Sequence, residues 1–246
     1  AATAETEEMA FIRTVFDQSR FTRIQLMVIL TSLVLNMLDG FDVIAMAFTV
    51  HSIGEELHIA PDLLGLVFSA ALAGMMAGAM FVAPFSDVIG RRKMILICVA
   101  TIGLSMCMTA FANSIWQLIA LRGITGLGVG GMLASLAAIS SEYAPGKYRS
   151  LAVVTITAGY PLGATLGGFI AAPMIPAFGW ESIFLAGGFA TLLIGLAAFF
   201  FMPESLQFLL AKGDADSLPK INDILRRLDK PELKELPRIK SDAHKV

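Results

Sequence analysis

Apolar residues along the chain fall into six long stretches, which short polar segments separate. Each stretch is long enough to cross a hydrocarbon layer of ~30 Å, which takes about 20 helical residues. The stretches lack the strict polar–apolar alternation of membrane β-barrel strands. The pattern therefore predicts an all-α membrane protein. Its six transmembrane helices are expected at about 24–50, 63–85, 94–112, 115–140, 150–175 and 182–202.

Two flanking segments are more polar than these stretches. The arm, 1–23, is charged, and it lacks the apolar core of about 7–15 residues that a signal peptide needs. We expect a short surface helix in it at about 11–21. The tail, 203–246, contains apolar residues at helical spacing: Ile221, Ile224, Leu225 and Leu228. This spacing predicts one amphipathic helix, capped by Ser217, that lies on the membrane or on neighbouring helix ends.

Basic residues are distributed unevenly among the polar segments. All but one of the 18 Lys and Arg residues lie in the arm, in the tail or in the loops after the second and fourth stretches. The three alternate loops, 51–62, 113–114 and 176–181, contain none. Because basic loops stay on the cytoplasmic side, this pattern places both termini in the cytoplasm. We expect an integral protein of a bacterial inner membrane.

Three ionisable residues interrupt the apolar stretches: Asp39 and Asp42 in the first, and Arg122 in the fourth. At 1.5 Å per residue, all three lie roughly 12–16 Å below the same membrane boundary. The two aspartates are three residues apart, so they face roughly the same way. An Asp–Arg ion pair between the first and fourth helices is therefore expected.

Charged groups inside a membrane are costly and are often functional. A carboxylate in a low-dielectric environment can exchange a proton near neutral pH, and a guanidinium can hold a carboxylate through two hydrogen bonds. Together they indicate a proton-coupled anion carrier, with Asn36 as a polar neighbour and Tyr160 as a possible stacking partner for an aromatic ligand. The alternative is a structural ion pair that only fixes helix packing.

Glycines form stripes on two of the predicted helices. Gly74 and Gly78 are four residues apart in the second, and Gly159, Gly163 and Gly167 continue the same spacing in the fifth. Such stripes allow close helix packing. Together with the charges in the first and fourth helices, they suggest two inverted three-helix repeats, an organisation common in transporters. Glycine stripes also occur in any tightly packed bundle.

Composition excludes several other classes of protein. Apolar residues make up 56% of the chain and charged residues 15%, whereas soluble domains carry about 25% charge. The net charge of −2 excludes a basic nucleic-acid binder. We find no nucleophile–base pair, phosphate loop or metal-ligand spacing, so we expect neither an enzyme nor a bound metal or cofactor.

Several motifs resemble those of the major facilitator superfamily. The loop after the second stretch matches its signature at four positions: Asp87, Gly90, Arg91 and Arg92. The run 122–131 is similar to the family's fourth-helix motif, with Arg122 at its arginine. Further landmarks are Glu142-Tyr-Ala-Pro followed by Arg149, and Pro203-Glu204-Ser205 after the last stretch.

Within that superfamily, Asp39-Gly-Phe-Asp42 resembles the DGxD element of aromatic acid:proton symporters. The resemblance implies import of a benzoate-like or hydroxybenzoate-like acid with protons by alternating access. It implies that Asp39, Asp42 and Arg122 line a central cavity. It also implies a cytoplasmic gating cluster formed by Asp87, Arg91, Glu142, Arg149 and Glu204.

Members of that family have twelve helices in two halves, whereas six are predicted here. We therefore expect an N-terminal half that needs a C-terminal six-helix partner, with the tail as the start of the loop between halves. Because the chain does not begin with Met, we expect a processed or truncated start. Two alternatives remain open: a carrier of another solute, such as a sugar or an aliphatic acid, and a truncated membrane protein that does not transport.

Overall fold

A computed structural model describes residues 22–214, 216–228, 230 and 232–233. The predicted helix in the arm and the end of the tail lie outside these residues. Within them, every regular element is helical. Six helices are long and apolar enough to cross a membrane, as the sequence predicts.

The six long helices extend further than the apolar stretches at several ends. Their bounds are α1 Arg23–Glu56, α2 Pro61–Ala77, α3 Arg91–Thr109, α4 Ile115–Tyr143, α5 Arg149–Phe178 and α6 Glu181–Phe201. The end of the bundle that carries the basic residues at 91–93 and 147–149 is the basic end. The opposite end, which carries Glu55, Glu56 and Glu181, is the acidic end.

Local residues set several helix ends. The main-chain N–H of Thr22 donates to the Gln25 side chain, which closes a capping box before α1. The hydroxyl of Ser114 accepts from the main-chain N–H of Gln117 and caps the start of α4. Gly90, at φ 105°, makes the sharp turn into α3 in a conformation that suits only glycine.

The second span ends irregularly. After α2 the chain continues through a π-helical turn, Gly78–Val82, a 3-10 turn, Ala83–Phe85, and a last helical turn, Ser86–Ile89. Pro84 lacks the N–H that would close the regular helical hydrogen bond four residues back. The π-helical and 3-10 turns accommodate the missing hydrogen bond, so the span continues to the basic end without a break.

The largest contacts between helices form a pattern with internal symmetry. Exchanging α1 with α4, α2 with α5 and α3 with α6 maps these contacts onto one another. The most extensive contacts join α1 to α5 and α2 to α4, and the two pairs replace each other under this exchange. The α3–α4 contact maps onto the smaller α1–α6 contact, while α3–α6 maps onto itself. This is the arrangement expected of two inverted three-helix repeats.

The glycine stripes lie in the two most extensive of these interfaces. A Cβ atom on Gly74 or Gly78 would overlap the α4 backbone, and one on Gly159 or Gly163 would overlap the α1 backbone. Gly167 faces the Phe41 and Ile44 side chains of α1. The glycines therefore let each helix pair approach to backbone contact.

The tail contains two helices rather than the one that the sequence predicts: α7, Leu206–Lys212, and α8, Ser217–Arg227. The hydroxyl of Ser205 accepts from the main-chain N–H of Phe208 and caps α7. The assignment of Ser217 as a cap was wrong, because Asp216 holds the capping position and the Ser217 hydroxyl donates to Asp214.

The apolar face of α8 lies against the protein. Ile221, Ile224 and Leu225 are buried, and the same apolar cluster includes core residues of the long helices. The apolar face of α8 therefore packs the tail against the bundle. This is one of the two locations that the sequence predicts for the amphipathic helix.

Candidate functional site

An ion pair joins α1 to α4 inside the apolar bundle. Arg122 Nη1 donates to Asp42 Oδ2 at 3.0 Å, and Arg122 Nη2 donates to Asp42 Oδ1 at 2.8 Å. Arg122 is 2% exposed and Asp42 is 5% exposed. The Asp–Arg pair expected from the sequence therefore forms, with the two-point geometry that a planar guanidinium favours.

The rest of the guanidinium faces apolar and unpaired surroundings. The Phe184 ring of α6 lies 5.2 Å from Arg122 Cζ, within the range of a cation–π contact. Arg122 Nε is buried and has no hydrogen-bond partner among the described residues. Asp42 therefore engages the two terminal nitrogens of the fork and leaves the Nε–H donor open.

Asp39 and Asn36 precede Asp42 on α1, by about one turn and about two turns, and they are also buried. Asn36 Nδ2 donates to the main-chain oxygen of Ile156 in α5 at 2.6 Å. Asp39 Oδ2 and Asn36 Oδ1 have no partner among the residues that the structure covers. The same holds for the buried hydroxyl of Ser135 in α4. Arg122 thus pairs with Asp42 alone, and Asp39 remains apart.

A groove opens between α4 and α5, with Asn36 of α1 among its lining residues. Its volume is about 840 Å³. The lining is mainly apolar, and its polar side chains are those of Asn36, Thr157 and Tyr160. Tyr160 was predicted as a stacking residue and does lie at this surface. The size and the apolar walls are those of a small-molecule site.

A second polar cluster lies at the basic end, around Glu142 at the end of α4. Glu142 Oε2 accepts from Arg91 Nη1 at 3.1 Å and from Ser205 Oγ at 2.7 Å. Glu142 Oε1 accepts from the main-chain N–H of Gln207 at 2.7 Å. Glu142 is buried, so these donors replace its lost hydration.

Glu204 completes this cluster from the segment before α7. Its Oε1 accepts the main-chain N–H groups of Arg92 at 2.9 Å and of Ser205 at 3.0 Å. Its main-chain oxygen accepts the Tyr143 hydroxyl at 2.7 Å. A Cβ atom on Gly90 would lie 2.5 Å from Glu204 Oε2, so this position also requires glycine for space.

Two residues predicted for the cluster lie at its margin. Asp87 is exposed, and its carboxylate is 3.9 Å from Arg91 Nη2. Arg149 Nε donates to the main-chain oxygen of Ser141 at 2.8 Å rather than to a carboxylate. The cluster therefore centres on Glu142 and Glu204.

Several contacts of both clusters were not predicted. Ser205 caps α7, and Gln207 lies in its first turn. A Ser three residues before the apolar Phe208 is a recognisable capping signal. The Phe184 contact has no comparable signal, because an aromatic residue in an apolar span is ordinarily a packing residue. Only the tertiary structure brings it to Arg122.

Known proteins provide an independent comparison. A family model for the Major Facilitator Superfamily matches residues 29–232. The chain is 36% identical over 207 residues to the 4-hydroxybenzoate transporter PcaK of Acinetobacter baylyi, covering 84% of this chain and 45% of that protein. It is 34% identical over 188 residues to the gallate transporter of Pseudomonas putida, covering 76% and 42% respectively.

The fold has counterparts among solved structures. The proton:xylose symporter XylE bound to 6-bromo-6-deoxy-D-glucose matches with a TM-score of 0.72 at 22% identity, covering 84% of this chain and 50% of that one. At this identity the match shows the fold alone.

The chain spans about half the length of the curated relatives it matches. Their names confirm the predicted resemblance to carriers of aromatic acids, and the matched family consists of transporters rather than enzymes. Together with six apolar helices, these matches make the chain an integral membrane protein. With the family match extending over most of its length, the chain belongs to the Major Facilitator Superfamily.

Proposed function

We propose that this chain is the N-terminal half of a proton-coupled carrier that imports an aromatic carboxylate by alternating access. The observation that carries the proposal is the buried two-point ion pair between Arg122 and Asp42. Relatives named as carriers of 4-hydroxybenzoate and gallate support the substrate class.

Proton and substrate transport are coupled in this proposal because Asp42 and the substrate carboxylate compete for the guanidinium of Arg122. In the described conformation Asp42 occupies the terminal nitrogens of Arg122. A proton on Asp42 removes its negative charge and weakens its hold, so a substrate carboxylate can take its place. One anion and one proton then enter a buried site together, and the net charge of that site stays the same. This balance avoids the cost of burying an unpaired charge.

Asp39 is the second candidate for the proton. It is buried beside the pair, and Oδ2 has no donor among the described atoms. A proton on this carboxyl would remove the buried negative charge that Oδ2 carries without a donor among the described atoms. Asn36 and Tyr160 are proposed to complete the substrate surface on the groove side of Asp39.

The cluster at the basic end is proposed to hold one conformer closed. Glu142 and Glu204 tie the end of α4 and the start of α3 to the tail through several hydrogen bonds. Opening this end requires those bonds to break together. We assign Gly90, Arg91 and Arg92 to the same gate, with Asp87 and Arg149 at its edge.

The remainder of the carrier is proposed to be a C-terminal six-helix half. Of the most apolar window of each helix, 61% is buried in α4, but only 17% in the α2 span and 22% in the α5 span. The exposed faces of α2 and α5 would then meet the second half or lipid. The tail, 203–246, would begin the loop between halves, and both ends would face the cytoplasm across a bacterial inner membrane.

Uptake of labelled 4-hydroxybenzoate into proteoliposomes tests the function, using the complete product of the reading frame that contains this chain. Arg122→Lys keeps the charge but loses the planar fork, so we expect at least about a tenfold loss of affinity. Arg226→Lys makes the same exchange at an exposed residue and should leave uptake unchanged. Unchanged affinity in Arg122→Lys would reject the ligand role. The 246-residue chain alone should not transport.

Two other functions predict different results. A carrier of sugars or aliphatic acids would show no competition by benzoate-like acids. A membrane protein that does not transport would show no uptake that depends on Arg122 or Asp39. The buried guanidinium favours an acid, because it provides a fixed positive charge for an anionic group.

A further inference from the structure

Three buried polar atoms near the ion pair have no hydrogen-bond partner among the described residues. One is a donor, Arg122 Nε, and two are acceptors, Asn36 Oδ1 and Asp39 Oδ2. Buried polar atoms are almost always paired, because leaving one unpaired costs free energy. Of these residues Asn36 lines the groove between α4 and α5, while Asp39 and Arg122 lie deeper in the bundle. Unpaired atoms that lead from such a groove to a buried ion pair indicate the hydrogen-bonding pattern of a ligand.

The orientation of Asn36 is fixed by its other contact. Nδ2 donates to the Ile156 oxygen at 2.6 Å, so the amide nitrogen is committed to α5. The oxygen of the same amide is left as a pure acceptor. Only a group with a hydrogen to donate can satisfy it.

The unpaired atoms are spread along α1 in a definite order. Asp42, which marks the level of Arg122, is three residues from Asp39 and six from Asn36, or about 4.5 Å and 9 Å along the helix axis. The donor, Arg122 Nε, therefore lies at one end of this series, and the acceptors, Asp39 Oδ2 and Asn36 Oδ1, lie toward the other end. A ligand that complements this order carries an acceptor group at one end and a hydroxyl at the opposite end.

The surface beside Asn36 suits an aromatic ring. The groove that Asn36 lines is formed mainly by apolar side chains, including Leu133, Leu136 and Ile156, and Tyr160 is also part of its wall. Apolar walls with a few polar atoms bind flat, weakly polar molecules and use the polar atoms for selection.

We infer that this site selects aromatic acids with a ring hydroxyl opposite the carboxylate, and that Asn36 is the residue that reads this hydroxyl. The inference rests on the proposed function, because the carboxylate end is assigned to Arg122. The hydroxyl donates to Asn36 Oδ1, with Asp39 Oδ2 as the neighbouring acceptor. An acid without the hydroxyl leaves these acceptors buried and unpaired, which penalises its binding.

Equilibrium binding to the complete reading-frame product tests the inference without any substitution. The probes are 4-hydroxybenzoate and 4-fluorobenzoate, which have similar size but differ in the donated hydrogen. We expect 4-hydroxybenzoate to bind at least about tenfold more tightly. Equal affinities would overturn the inference.

Asn36→Leu provides the second test, since it removes the acceptor and keeps a side chain of similar size. We expect the preference for 4-hydroxybenzoate to fall to about twofold or less, with little change in the affinity for 4-fluorobenzoate. Thr101→Val is the control outside the groove, because the Thr101 hydroxyl donates only to the Ile97 oxygen of its own helix. Its preference should stay that of the wild type. If Asn36→Leu lowered the affinity for both acids by the same factor, the result would contradict a role of Asn36 in recognising the hydroxyl.

The outcomes separate this inference from the proposed function. Binding of both acids with equal strength, lost in Arg122→Lys, would retain the carrier of aromatic acids and reject the hydroxyl reader. Binding of neither acid by the wild-type protein would reject both. The hydroxyl preference together with its loss in Asn36→Leu would support both.

Discussion

Glu142, at the end of α4, accepts a 2.7 Å hydrogen bond from the main-chain N–H of Gln207, which lies 65 residues later in the first turn of α7. The same carboxylate also accepts from Arg91 and Ser205. One side chain thus joins the fourth span, the loop after the second span and the tail. Its hydrogen bonds stabilise the basic end of the bundle.

Glu142→Gln should lower the stability of that end. The amide keeps one acceptor but loses the charge that strengthens all three hydrogen bonds, at a cost of roughly 1–3 kcal/mol. The measurement is thermal unfolding of the protein in detergent. Glu55→Gln alters an exposed glutamate at the other end and should leave the melting temperature unchanged. Equal melting temperatures for all three proteins would contradict the structural role.

Asp42→Asn and Asp39→Asn should separate proton coupling from binding. If either carboxylate carries the proton, its amide variant should lose pH-driven accumulation and retain exchange of internal for external substrate. The two assays are run in the same proteoliposomes, with and without a pH gradient. Asp223→Asn, on the outer face of α8, serves as the control. Accumulation and exchange that fall by the same factor would indicate a folding or binding defect instead.

Gly163→Ala should destabilise the α1–α5 interface. Its new Cβ would overlap the Met37 backbone, and a backbone cannot move aside as a flexible side chain can. Overpacking of this kind costs about 1–3 kcal/mol. Gly168→Ala, five residues later in the same helix, would meet only the Phe48 ring at 3.4 Å and should be tolerated. Thermal unfolding distinguishes the two, and an equally small effect of both changes would refute the backbone contact.

Phe184→Leu should weaken the site around Arg122 by a modest amount. The ring lies 5.2 Å from the guanidinium carbon, and a desolvated cation–π contact contributes about 1–2 kcal/mol. We expect about a fivefold to thirtyfold loss of affinity for 4-hydroxybenzoate. Phe189→Leu, on the exposed side of the same helix, should have no effect. A loss of the same size in both variants would assign the effect to general packing.

Much of the fold follows from the sequence because span length and apolarity are properties of consecutive residues. Stretches of about 20 apolar residues predict spans directly. The second tail helix was missed because α7 has only seven residues, too few for a periodic pattern. The Ser217 cap was misplaced by one residue, since Asp216 and Ser217 are both good capping residues and only the backbone conformation separates them.

The candidate site was predictable in part for a similar reason. Charges inside a membrane stand out against apolar neighbours, and simple helix geometry brings Asp42 to the level of Arg122. The division of roles between Asp39 and Asp42 was not predictable, because three residues of helix place both on nearly the same face. The contacts of Arg149 and Phe184 depend on loop and side-chain conformations that no local pattern specifies.

The exchange of the first three helices with the last three has an energetic consequence. If each repeat can adopt the shape of the other, a rearrangement that swaps the two shapes breaks and remakes equivalent contacts. The two resulting forms then have nearly equal free energies, whichever side of the membrane they open to. A binding event worth only a few kcal/mol is enough to change which form predominates. Under the proposed function, the fold would then act as a balanced two-state switch, whose position a small free energy of binding sets.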